Sequence, residues 1–135
     1  TYTNMMNPAL SPEEPSLVCS NIGPRERRKR LSIGIAAEIM ALAVLAAVKI
    51  LKLSGWTAAI TLPFFIAAGI GFFQWLEKTC IANVYMGVTN MDDGNVAVTD
   101  EAVKRTLAKQ ARQVQIKAAV SAVAQTGVAI LIAAL

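Results

Sequence analysis

Apolar residues gather in three long runs, Leu31–Leu53, Trp56–Leu76 and Ala118–Leu135, each preceded by polar or turn-rich sequence. A helix that crosses a bilayer needs roughly 17–25 predominantly apolar residues at ~1.5 Å rise, and each run is about that long. The pattern predicts an all-α integral membrane protein, with a transmembrane helical hairpin over 31–76 and a long C-terminal helix whose last part forms a third span. The third run is the weakest, because Gln125, Thr126 and Gly127 interrupt it. Leu53-Ser54-Gly55-Trp56 leaves so little chain between the first two runs that they must be antiparallel neighbours. Trp56 and Trp75 then fall at opposite interfaces.

Residues 1–30 form a separate N-terminal tail. Pro8, Pro12, Pro15 and Pro24, with Glu13 and Glu14, leave no apolar leader-like stretch before Pro24. The first span is therefore expected to direct its own insertion, and the tail to be an extended docking strand. Residues 77–99 read as a connector carrying the turn formers Asn90-Met91-Asp92-Asp93-Gly94-Asn95. That cluster lacks the ligand spacing and terminal Glu of a calcium-binding loop, so it is read as a turn.

Helical sequence resumes at 100–135, with Thr99 or Asp100 as its cap. Val103, Leu107, Ala111, Val114 and Ala118 recur at helical spacing and define one apolar stripe. Unbroken, this helix would reach roughly 54 Å, and a bend near Lys117 is the alternative. Within the second run, Pro63 is expected to kink the helix and free the Ala59 carbonyl, with Thr61 nearby to satisfy backbone groups.

Charge orients the spans. The chain has 13 Lys and Arg against 9 Asp and Glu, a net charge of +4 that would by itself also fit nucleic acid. Its placement favours lipid: Arg25, Arg27, Arg28, Lys29 and Arg30 stand before the first span, and Lys104, Arg105, Lys109, Arg112 and Lys117 before the third. Only Lys49 and Lys52 lie at the other end of the hairpin, where their stems can snorkel to headgroups. Basic residues flanking a span stay on the cytoplasmic side, so the N-terminus is expected in the cytoplasm of a bacterial-type inner membrane or its equivalent, and the C-terminus opposite. Arg25 to Arg30 are read as ligands for anionic headgroups, with no nucleic-acid partner. A hydrophobic content of 55% and a mean hydropathy of +0.49 agree with a bilayer environment.

Few residues carry candidate chemistry. Glu38 lies about 10 Å along the first helix from Leu31, where a charge is costly; it and Gln74 are the intramembrane polar candidates, and Gln74 and Gln125 are expected to bond between helices. Ala67 and Gly71, four apart, form a small-residue face suited to close helix packing. Cys19 and Cys80 both fall on the cytoplasmic side and make a candidate thiol pair, though a disulfide is disfavoured in a reducing compartment.

The chain contains no histidine, which argues against axial ligation of haem or chlorophyll and leaves two cysteines as a poor metal site. Nor does the sequence carry a phosphate loop or a Ser-His-Asp arrangement. The expectation is a non-enzymatic accessory subunit of a larger respiratory, photosynthetic or transport complex. Such a subunit stabilises neighbouring membrane subunits and binds lipid. It has no cofactor of its own, and touches pigments or quinones only where partners hold them. The competing expectations are a self-associating small channel or holin-like pore, and a lipid-binding or assembly factor.

Overall fold

The computed structural model describes residues 20–135. Helix accounts for 78% of it, and three helices are long and apolar enough to cross a membrane. These are α1 (Pro24–Ile50), a 3-10 turn over Gly55–Thr61 continuing into α2 (Leu62–Glu77), and α4 (Glu101–Ala134). The connector carries regular structure around the turn expected at Asn90–Asn95. It folds into a short helix α3 (Ile81–Met86) and an antiparallel hairpin of β1 (Val88–Asn90) and β2 (Asn95–Ala97), in register Val88 to Ala97 and Asn90 to Asn95.

The chain divides into two compact units. The first joins the described residues up to Arg30 with Phe73–Val114. Its apolar core is Val98, Val103 and Leu107, with Val84 and Met91 packed against them. Asp100 caps α4 here: its carboxylate Oδ1 accepts the amide N–H of Ala102 at 2.8 Å and that of Val103 at 3.4 Å. All five residues of the stripe from Val103 to Ala118 are buried. Four of them, as far as Val114, lie in this unit.

The second unit joins Leu31–Phe72 with Gln115–Leu135. Its core is built mostly of small side chains, Ala41, Val48, Ala58, Phe65, Ala122 and Ala129. Small residues let helix backbones approach closely. A Cβ placed on Gly34 of α1 would lie 3.0 Å from the Ala68 carbonyl oxygen and from the Phe72 nitrogen of α2. A Cβ placed on Gly69 would likewise lie 3.0 Å from the Ala118 Cα.

Pro63 acts differently from the sequence expectation. It stands in the first turn of α2, where its missing N–H costs little, and the residues before it wind as a 3-10 turn. The Ala59 carbonyl is not freed, because the Leu62 N–H donates to it. Thr61 is buried and donates its hydroxyl to the Ala58 carbonyl at 2.6 Å. α4 runs as one helical element through Lys117 and Gly127.

Candidate functional site

The first unit is organised by an asparagine the sequence reading passed over. Asn21 is completely buried. Its side chain pairs with the backbone of Cys80 as a peptide group would: Nδ2 donates to the Cys80 carbonyl at 3.0 Å, and Oδ1 accepts the Cys80 N–H at 2.6 Å. The Asn21 carbonyl accepts from the Asn83 side chain at 3.1 Å and from the Asn90 N–H at 2.9 Å. Beside it, Ile22 bridges to Asn90 in parallel register. The segment just before α1 is thereby tied to α3 and to β1.

The hairpin returns the favour to α1. Asp92, at φ 73° in the turn, accepts the N–H groups of Arg25 at 3.1 Å and Glu26 at 3.3 Å, so its carboxylate caps the positive end of the helix from a remote part of the chain. Gly23 makes room for it, since a Cβ there would sit 2.6 Å from the Asp92 carboxyl carbon. Nothing in a single sequence marks Asp92 as the cap of a helix nearly seventy residues away. Its place in a turn-forming cluster was the only visible signal.

The basic cluster divides into two kinds of residue. Arg27 is engaged within the unit: its Nε and Nη2 donate to the Trp75 carbonyl at 3.1 and 3.0 Å, and its guanidinium lies 5.9 Å from the Trp75 ring centroid. It thus satisfies a carbonyl in the last turn of α2. Arg30 is half-buried, 3.8 Å from Glu26 and with Nη2 3.5 Å from the Cys80 sulfur. Arg25, Arg28 and Lys29 are exposed, and these three keep their charge available at the surface.

Gln74 is buried but does not bond to another long helix. Its Oε1 accepts the Ile81 N–H at 3.1 Å and caps α3. Gln125 donates to Ser121 one turn back in its own helix. The residue that joins elements is Gln110, which donates through Nε2 to the Thr79 hydroxyl at 2.6 Å and to the Glu77 carbonyl at 3.4 Å. Its place three residues after Leu107 and four before Val114, in phase with the apolar stripe, is the signal that sequence reading could have used.

In the second unit, Gly71 is buried but Ala67 is exposed. The close approach within the chain keeps Gly71 but uses Ala68 and Gly69 in place of Ala67. Glu38 is half-buried on α1 and makes no hydrogen bond or ion pair among the described residues. Exposed Ile35, Ile39 and Leu42 surround it along the helix.

No family model, curated protein or solved structure matches this chain. The functional reading therefore rests on its own side chains. Among the described residues no group of three or more metal-ligating side chains comes together. Cys80 is buried at 1% exposure with a free thiol. Cys19, its proposed counterpart, lies outside the described residues. A cavity of about 330 Å³ lies between α3 and the start of α4, and Tyr85 and Lys104 are at its rim. Of its polar lining residues, Asn83 is committed to Asn21 and Lys104 lies 3.5 Å from Glu101.

Proposed function

We propose that this chain is a multi-pass membrane protein serving as a non-catalytic accessory subunit of a larger membrane complex, where it stabilises neighbouring subunits and contacts lipid. The supporting observation is Glu38. A carboxylate near the middle of a span costs roughly 2.5–3.5 kcal/mol even on insertion scales that allow for relaxation, unless a donor or cation meets it. The described part of the chain supplies none. A neighbouring subunit with a donor or cation at the same depth removes that cost, and the apolar residues around Glu38 give its helix a surface to lie on.

The rest of the molecule fits this role. Exposed apolar side chains on all three long helices, such as Ile39, Ile66 and Leu131, suit hydrocarbon or another helix. Arg25, Arg28 and Lys29 suit anionic headgroups on the cytoplasmic side, where the N-terminus is placed by this reading. The host is of respiratory, photosynthetic or transport type, and pigments or quinones are contacted only where its other subunits hold them.

Purification of the tagged chain in mild detergent tests the proposal. Other membrane chains are expected to co-purify in fixed ratio with the wild type, to remain with Glu38→Gln and to be depleted with Glu38→Leu. A wild-type chain recovered alone and monodisperse sinks it. The same carboxylate also admits a second copy as its partner, as a self-associating pore would require. In that case the purified species is a homo-oligomer and Glu38→Gln alters its conductance in vesicles.

A further inference from the structure

We propose that the groove between α1 and α4 in the second unit binds one anionic phospholipid, with an acyl chain in the apolar trough and the phosphate on Lys49 and Lys52; this rests on the membrane reading above. Leu42, Leu45, Lys49 and Lys52 follow one another at spacings of three and four, as do Gln125, Val128, Ile132 and Leu135 on the other wall. Leu42, Leu45 and Lys49 share one face of α1 and Gln125, Val128 and Ile132 one face of α4, while Lys52 and Leu135 follow just past the ends of those helices.

Two open cavities lie along this seam. One of about 260 Å³ is lined by Leu42, Leu45, Phe65, Val128 and Ile132 among others. Gln125 is its one polar lining side chain, and that amide already donates to Ser121. The next, of about 240 Å³, has Lys49 and Lys52 on one side and Ala133 to Leu135 on the other. From Ala124 to Ala134 the wall rises about 15 Å at ~1.5 Å per residue, half of a ~30 Å hydrocarbon core. The trough is therefore one leaflet deep and opens where headgroups lie. Trp56, exposed at the same end, suits that interface.

The cations at the mouth are unspent, and the backbone that carries them is fixed. Lys49 and Lys52 are exposed and make no hydrogen bond or ion pair through their side chains among the described residues. The helix end beneath them is closed by the Leu53 N–H on the Val48 carbonyl at 3.0 Å and the Lys52 N–H on the Lys49 carbonyl at 3.1 Å. This is the six-to-one and five-to-two pattern that usually places glycine in the left-handed position. Here Lys52 occupies it, at φ 53°. Two ammonium groups favour a phosphate that carries net negative charge over a zwitterionic headgroup, which brings its own cation.

Native mass spectrometry of the full chain, released from vesicles of equal phosphatidylglycerol and phosphatidylcholine, tests the site. The wild type is expected to retain one phosphatidylglycerol with roughly tenfold preference, from two lysines near the headgroup plane. Lys49→Gln with Lys52→Gly should bring the preference to near parity, and the glycine eases the left-handed backbone, so misfolding does not explain the loss. Ala124→Phe, which fills the trough from an exposed position, should remove the retained lipid of either kind. Arg105→Gln with Arg112→Gln, the same charge change elsewhere, should leave the preference intact. Equal retention of both lipids by the wild type, or an unchanged preference in the lysine variant, overturns the site. Release of the chain from vesicles by alkaline carbonate overturns the membrane reading and the site with it, whereas an integrated chain without lipid preference overturns the site alone.

Discussion

The side chain of Asn21 and the backbone of Cys80 exchange two hydrogen bonds, at 3.0 and 2.6 Å, across 59 residues of sequence. Removing the amide leaves a buried N–H and a buried carbonyl unpaired, a loss of about 2–4 kcal/mol. In a Cys19→Ser background, Cys80 of the otherwise native chain is expected to resist maleimide, and Asn21→Ala to expose it to rapid labelling. Asn21→Asp keeps the acceptor for the Cys80 N–H but sets a carboxylate oxygen against the Cys80 carbonyl, so it should label as fast. Equal labelling rates in all three proteins would show that Asn21 does not hold this segment.

Asp92 caps α1 across the fold, and its loss should be felt at the helix start. Asp92→Ala is expected to cost about 1 kcal/mol, as for other lost N-caps, and Asp92→Asn less, because an amide oxygen still accepts. Hydrogen exchange locates the effect: the Arg25 and Glu26 amides should lose protection, while those of the Asp100-capped α4 keep theirs. Uniform loss across both helices would mean that the turn, not the cap, was damaged.

What the sequence made legible follows from the range of each interaction. The three long helices and the stripe from Val103 to Ala118 could be read because periodicity is local, recorded within one or two turns. The turn at Asn90–Asn95 was readable for the same reason. The hairpin around it was not, since strands of three residues carry almost no alternation. Asn21, Asp92 and Gln110 escaped because each acts on a backbone group between 33 and 67 residues away. At the candidate sites, a basic run gives charge without saying which guanidinium is spent internally, as Arg27 is on Trp75. A small-residue stretch gives a seam without its phase, and that is how Ala67 stood in for Ala68.

The phase of that seam is testable by adding bulk. Gly34→Leu forces a side chain into the Ala68 and Phe72 backbone, so it is expected to lower the unfolding temperature in detergent by several degrees or to prevent recovery of folded protein. Ala67→Leu places the same side chain on an exposed face and should change little. A reversed order would put Ala67 on the packed face and return the seam to the phase expected from sequence.

Two buried threonines should respond to the same substitution with opposite signs. Thr61 spends its hydroxyl on the Ala58 carbonyl, whereas the buried Oγ1 of Thr126 has no hydrogen-bond partner among the described residues. Valine keeps the shape and the β-branch of threonine, so stiffness at χ1 changes little and the hydroxyl is the main variable. Thr61→Val is expected to destabilise by about 1 kcal/mol, the net worth of one bond, while Thr126→Val removes an unsatisfied group and should be neutral or stabilising by about the same amount. Reversible unfolding in mixed micelles measures both. A Thr126→Val chain that unfolds normally in micelles but loses membrane chains found to co-purify with the wild type would assign that hydroxyl to a partner rather than to the fold, because only a bond made to such a partner makes its removal costly.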